Sequence, residues 1–410
     1  MRMGFGFGLC KGNGGPSPAF DSNFLSGTLP PGLTYTNSST VRTYFGADGL
    51  LKTAAINEPI FEYDPVTRAL LGMRWEMEQR TNLLLQTTLP GGGAVPTGWT
   101  QPAGTGTSAP AASIYGNADG AVAYLQSATA QRPYLSQTTS SLSANTTYTV
   151  SLLIESVTGT VTPDNVIGFA ASPAGASVSY PACSANPSGG TSSGITSGVL
   201  EVRLSIGATA GTVSCRVGLG TAANATGTLK FSRPQLEVGT SRSSFIPTTS
   251  TAVIRQPDVL TATSISPWYN QSEGTVVFEG IVSDLSAVIS GYFVFSDATT
   301  NNRILVVKSS SNQHSSFIAS GGATVLSQSV GTVTAGTVFR SVLAYAVNNG
   351  NFAANGTLAT PDTSMSVPSV TTLRFGCTIN TGVEPFMGYA RRFQYFNTSL
   401  KNQIQGMSRV

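Results

Sequence analysis

The chain has 410 residues, of which 10% are charged, with 22 Lys and Arg against 19 Asp and Glu for a formal charge of +3. That length accommodates two or three domains, and positive charge this sparse excludes a surface that neutralises a row of phosphates, so neither nucleic acid nor an anionic membrane is an expected partner. The 45 glycines and 22 prolines, with abundant Ser and Thr, are the composition of short strands and many turns and exclude a coiled coil.

In chain order, the first residues alternate Gly4, Gly6 and Gly8 with Phe5, Phe7 and Leu9. Glycine interrupts any continuous apolar core of signal-peptide type, so the stretch reads as an uncleaved arm, either an extended strand with one apolar face or a disordered terminus. Residues 1–82 hold most of the clustered charge. Asp48-Gly49 marks a hairpin turn there and Asp64-Pro65 starts another. Residues 83–247 are poor in charge and rich in Ser, Thr, Gly and Ala. Period-two alternation over residues 146–154 sets Thr147, Thr149 and Ser151 against Tyr148, Val150 and Leu152, and similar runs over 198–206 and 211–219 predict an antiparallel sandwich. Cys183 and Cys215 share this segment and are candidates for a disulfide, while the four cysteines contain no CxxC and exclude a zinc ribbon. Residues 248–410 predict a second sandwich, with strands at 274–280, 291–296, 303–308, 337–347 and 389–397, a hairpin turn at Asn348-Asn349-Gly350-Asn351 and a short helix over 399–407. The lone histidine, His314, excludes a multi-histidine metal centre within one chain and reads as a solvated loop residue. No run reaches about 18 apolar residues, so no membrane-spanning helix is expected.

Three ordered sets of residues carry a resemblance. Arg42-Thr43-Tyr44-Phe45-Gly46-Ala47-Asp48-Gly49, Glu58-Pro59-Ile60-Phe61-Glu62-Tyr63-Asp64-Pro65 and Glu76-Met77-Glu78-Gln79-Arg80-Thr81-Asn82 together resemble the N-terminal module of head-fibre and tail-fibre proteins of tailed bacteriophages. Phe231 to Gly239, Ser244 to Thr248 and Arg255 to Asp258 resemble the end of a jelly-roll carbohydrate-binding module. The strands around Phe278, Tyr345 and Phe375, and Gly388 to Phe393, resemble a concanavalin A-like, laminin-G-like lectin sandwich. The resemblance implies an all-β chain, with a small N-terminal virion-anchoring module at 1–82, a jelly roll at 83–247 and a lectin-like domain at 248–410. It further implies a virion structural protein, a head-fibre or decoration protein or alternatively a tail receptor-binding or capsid cement protein, on the virion surface. The partners so implied are other virion proteins, two further copies in a trimer, and host-surface polysaccharide.

Saccharide recognition needs flat rings for pyranose C–H faces and a few amides or carboxylates for hydroxyls. Trp99, Tyr115, Tyr124 and Tyr134, with Asp119 and Gln131, supply that inventory in the jelly-roll zone, and Trp99, in a Gly- and Pro-rich segment, is the expected surface ring. Phe5, Phe7 and Leu9 are the expected virion-anchoring face. Trp268-Tyr269-Asn270 and Asp297 with Asn301 and Asn302 form a candidate sugar or Ca²⁺ loop, but no carboxylate-rich ligand run accompanies them, so no metal or other cofactor is expected. Acids between residues 83 and 230 are few and scattered, and Glu273, Glu279, Asp284 and Asp297 show no spacing of a catalytic pair, so no catalytic residue is assigned and the chain is not expected to be an enzyme.

Overall fold

A computed structural model describes residues 16–410 apart from 91–94, 103–106, 116–121, 128–131, 171, 221–226, 263, 284 and 286–287. The described chain is almost entirely antiparallel β-structure arranged as two sandwiches. In the jelly-roll zone, strands Ser177–Ser179, Gly198–Ser205, Thr147–Thr158, Gly227–Val238, Val122–Ser127 and Thr107–Ala111 form one sheet in that order. Tyr134–Thr138, Ser214–Gly218 and Ile167–Ala170 form the opposing one. Leu200, Val202 and Leu204 alternate inward along their strand and meet Tyr148, Val150 and Leu152 in register, which builds a core shared with Leu135, Cys215 and Phe231. Here the period-two reading of the sequence translates directly into packing.

Hydrogen bonding distributes the N-terminal zone differently from its composition. Phe20–Asn23 and Leu70–Glu76 both pair with Met387–Phe396, and Leu33–Thr36 pairs with Val259–Ala262. Strands from the first 82 residues therefore belong to both sheets of the C-terminal sandwich. The larger of these sheets runs from Thr357–Leu358 through Asn349–Ala354, Val338–Ala346, Glu273–Val282, Met387–Phe396 and Leu70–Glu76 to an edge at Phe61–Tyr63. The facing sheet runs from Leu33–Thr36 through Val259–Ala262, Thr372–Phe375, Ser290–Ser296, Arg303–Lys308 and His314–Ser320 to Ala323–Val330. Trp75, from the N-terminal zone, is fully buried at the centre of their core, with ring centroids 5.7 Å from Phe24, 5.7 Å from Phe278 and 5.5 Å from Phe375. Gly72 lets this strand approach its neighbour, because its φ of 138° and the Ala390 carbonyl beside it leave no room for a side chain.

The predicted turns are present with one shift. Gly49, at φ 69°, turns the chain between Thr43–Phe45 and Leu51–Thr53. The Asp64 carboxylate accepts from the Val66 and Thr67 amides at 2.9 and 2.7 Å. The later hairpin turns two positions earlier than expected: Ala346 pairs with Asn349, so Val347 and Asn348 form the two-residue loop, and Asn348 takes the left-handed φ of 57°. At the C-terminus, helix forms only over Ile404–Met407.

The charged motif residues of the N-terminal zone converge with residues 235–258 in a buried junction between the sandwiches. Glu76 accepts from Arg74 at 3.0 Å and from the Ser244 hydroxyl at 2.7 Å, and Arg255 lies 3.6 Å away. Burial opposes ionisation of Glu76, but Arg255, Arg74 and Ser244 outweigh it and hold the carboxyl at about 2. Asn82 accepts from the Leu236 amide at 3.1 Å and donates to the Ile246 carbonyl at 2.8 Å, and Ile246 N donates back to Gln235 Oε1 at 2.7 Å. Arg80 pairs with Glu78 at 2.7 Å and donates to the Val238 carbonyl. The polar face of the jelly-roll strand at 147–158 is covered rather than solvated as a result. Thr149 is fully buried and its hydroxyl donates to the Gly239 carbonyl at 2.8 Å.

Candidate functional site

Several residues expected at a binding surface lie elsewhere. Trp99 is 5% exposed, packs in the jelly-roll core, and donates its indole N–H to the Gln86 carbonyl at 3.2 Å. This corrects the expectation of a surface ring: the Gly- and Pro-rich segment folds its one large apolar side chain inward, where burial gains most. Tyr134 is half-buried with Arg216 4.8 Å from its ring centroid. Tyr124 stands in strand Val122–Ser127 opposite Lys230; Asp119 and Gln131, like Phe5, Phe7 and Leu9, lie outside the described residues.

The loop candidates of the C-terminal sandwich are packing elements. Trp268 stacks on Phe20 at 4.6 Å, Tyr269 stacks on Tyr395 at 5.2 Å, and Asn270 donates to the Asn397 carbonyl at 2.8 Å. The Asp297 carboxylate is occupied by its own turn, accepting from the Thr299 amide at 2.9 Å and from Asn302 at 2.8 Å. His314 is a correction too. It begins a strand, is 1% exposed, packs 4.7 Å from Phe339 and shares a hydrogen bond of 3.2 Å with the Tyr292 hydroxyl. Burial pushes its imidazole down to about 4. Cys183, half-buried, and Cys215, in the core, are both free thiols, so the candidate disulfide does not form. Among the described residues no group of three or more His, Cys, Asp or Glu could hold a metal ion.

One of the expected site residues, Tyr115, does reach a shared cavity. A cleft of about 880 Å³ opens where the jelly-roll sheet, the N-terminal zone and the C-terminal sandwich meet. The polar side of the jelly-roll sheet contributes Ser151, Glu201, Arg203 and Gln235, in rows set by the pairing of Ser151 with Glu201 and with Gln235. The N-terminal zone contributes Phe45 and Tyr63, both half-buried, and the C-terminal sandwich contributes Ile281 and Tyr389. Tyr115 is mostly buried and packs edge-on to Phe45 at 5.6 Å. Tyr63 also lines a shallower recess of about 470 Å³ beside Tyr44 and Phe61.

The acids of the cleft are all engaged. Glu62 accepts from Tyr389 at 2.8 Å and is ion-paired to Arg74; Glu201 pairs with Arg242 at 3.2 Å; Asp64 holds its turn. Phe45 and Tyr63 do not stand out as site residues in the sequence because both fall beside turn signals. Their signal is the alternation Ile60, Phe61, Glu62, Tyr63, in which Ile60 and Glu62 are buried while Phe61 and Tyr63 are half-exposed.

No protein-family model and no curated protein sequence matches the chain. Solved structures do. The CBM40 of the Ruminococcus gnavus IT-sialidase, bound to α2,3-sialyllactose, is similar at 15% identity over 34% of this chain and 84% of that one, with a TM-score of 0.30. The heptameric SAP-like pentraxin of Limulus polyphemus is similar at 12% identity over 33% and 68%, with a TM-score of 0.26. The receptor-binding domain of botulinum neurotoxin type G is similar at 12% identity over 37% of this chain and 39% of that one, with a TM-score of 0.28. These likenesses concern the β-sandwich fold alone.

Proposed function

We propose that the chain is a non-catalytic glycan-binding protein exposed on a tailed-bacteriophage particle, a head-fibre or decoration protein whose saccharide site is the cleft between the two sandwiches. The observation that carries the glycan reading is the mixture of groups in that cleft. Half-buried rings of Phe45 and Tyr63 share it with the hydroxyl of Ser151 and the guanidinium of Arg203. Apolar C–H faces and hydroxyl edges alternate around a pyranose, and this is the pairing of rings and polar groups that satisfies both. Engagement of Glu62, Asp64 and Glu201 by their own partners leaves those carboxylates as scaffold, which favours binding over acid–base chemistry. An open site of this kind binds on the order of millimolar, about 4 kcal/mol, and attachment then comes from many copies on one particle.

The virion part of the proposal rests on the resemblance carried by the motif residues at 42–82. Those residues build the junction that fixes the two sandwiches against each other, and Phe5, Phe7 and Leu9 are proposed to dock the chain on other virion proteins, in a closed trimer. Phe20 pairs with Tyr395 and stacks on Trp268, and removal of residues 1–15 leaves those contacts in place. A chain lacking residues 1–15 is expected to fold and to stay out of particles; its normal incorporation would overturn the anchoring role.

The direct test is binding of the full chain to an immobilised panel of bacterial surface polysaccharides, with released reducing ends assayed in parallel. Retention on at least one polysaccharide without release is expected. Absence of binding across the panel would overturn the glycan reading, and release of reducing ends would overturn its non-catalytic part. Immunogold labelling of intact particles is expected to mark the head.

A further inference from the structure

The cleft carries a chemical preference in its arginines. Arg203 projects from strand Gly198–Ser205, in register with Thr149 on one side and Ser179 on the other, and lines the cleft. Its Nε is shut off from solvent and has no hydrogen-bond partner. Among the described residues its guanidinium makes no ion pair either. The neighbouring acid cannot serve it in full, because Glu201 is already held by Arg242 at 3.2 Å. Among the described residues that line the cleft, four arginines, Arg74, Arg203, Arg233 and Arg242, stand against three acids, Glu62, Asp64 and Glu201.

A buried donor left unpaired is costly, and it is costlier for a charged group than for a neutral one. Water or a neutral sugar hydroxyl can accept one hydrogen bond from a guanidinium. A carboxylate accepts two in parallel and neutralises the charge as well, because its two oxygens match the planar fork of N–H donors. Partial enclosure by the two sandwiches lowers the local dielectric and strengthens that pairing relative to open surface. Next to Arg203 the Ser151 hydroxyl, opposite Glu201 on the adjacent strand, is placed to serve a hydroxyl of the same sugar.

Resting on the assignment of the cleft as the saccharide site, we infer that it selects a carboxylate-bearing saccharide, of the uronic or other acidic-sugar class, with Arg203 as the group that recognises the carboxylate. The full chain is tested on surfaces coated with acidic polysaccharides, polygalacturonate and hyaluronate among them, and with the same polymers after methyl esterification or carboxyl reduction. Wild type is expected to bind an acidic polymer and to lose about tenfold or more of its affinity when the carboxylates are blocked. Arg203→Gln is expected to lose the same factor on the acidic polymer and to bind the acidic and blocked forms about equally, with an unchanged melting temperature. Arg203→Lys, which keeps the charge without the fork, should fall between them. Equal binding to acidic and blocked polymers, or equal binding by wild type and Arg203→Gln, would overturn the acidic preference while leaving the cleft as a saccharide site. Binding to no acidic or neutral glycan would overturn the saccharide site itself, and the preference with it.

Discussion

The Ser244 hydroxyl donates to the Glu76 carboxylate at 2.7 Å across 168 residues of sequence, and both residues are buried. This bond ties the strand that carries Trp75 to the segment that leaves the jelly roll, so the junction between the sandwiches is itself a polar core. Glu76→Gln would leave Arg74 and Arg255 short of their shared counter-charge in a place that water does not reach. The expected loss is about 3–5 kcal/mol, the cost of breaking a buried ion pair from one side. Urea denaturation of the variant checks it, and a change under 1 kcal/mol would show that the junction tolerates the uncompensated arginines.

Trp99→Ala is expected to cost about 3–5 kcal/mol, because the ring is core and the substitution opens a cavity beneath the smaller jelly-roll sheet. The variant should bind polysaccharide normally at temperatures where it is folded. A thermal melt and a binding assay on the same sample separate these effects, and weakened binding with intact stability would return Trp99 to the surface.

Tyr63→Ala should behave in the reverse way. The ring is half-buried at the edge strand Phe61–Tyr63 and stacks on no other aromatic side chain among the described residues. Its removal is expected to cost about 1 kcal/mol of stability or less and to abolish measurable retention on polysaccharide.

His314 makes stability depend on pH in a defined window. Its imidazole is held down at about 4 in the fold against an ordinary 6.5, so the unfolded chain takes up a proton first as pH falls. Stability is then intact above about 6.5 and declines between 6.5 and 4, by roughly 3 kcal/mol over the whole window. Glu237 and Asp258, whose carboxyls burial pushes up, act in the opposite sense, gaining stability as pH falls through their raised values. The comparison that isolates the histidine is therefore wild type against His314→Gln, which can still hydrogen-bond Tyr292. The two melting curves are expected to diverge between pH 7 and 4, wild type losing more, and parallel curves would contradict a neutral buried imidazole.

Local pattern made much of this fold legible. The alternation over 147–154 and 198–205 reports which residues enter the jelly-roll core, and the Asp48-Gly49 turn forms where its residues require it. What local pattern does not carry is long-range pairing. Phe20 finds Tyr395 and Glu76 finds Met387, and nothing in a window of ten residues marks a strand as belonging to a sheet built 300 residues later. The same limit explains the polar side of the jelly-roll sheet. Thr149 and Ser151 stand on the strand's polar side, yet both are buried, and the Thr149 hydroxyl donates to the Gly239 carbonyl of the segment that leaves the jelly roll. His314 reads from the sequence as a loop residue because its Ser- and Asn-rich flank is a true turn, with Gln313 donating to Ser309 at 3.1 Å, and the strand starts at the histidine itself.

The saccharide is proposed to lie between the sandwiches. A crystal of the full chain soaked with an oligosaccharide cut from a polysaccharide that it binds tests this most directly. A sugar ring is expected against Tyr63 or Phe45, within hydrogen-bond distance of Arg203. A sugar bound instead at Tyr134 on the smaller jelly-roll sheet, or along the C-terminal sandwich away from the cleft, would contradict it.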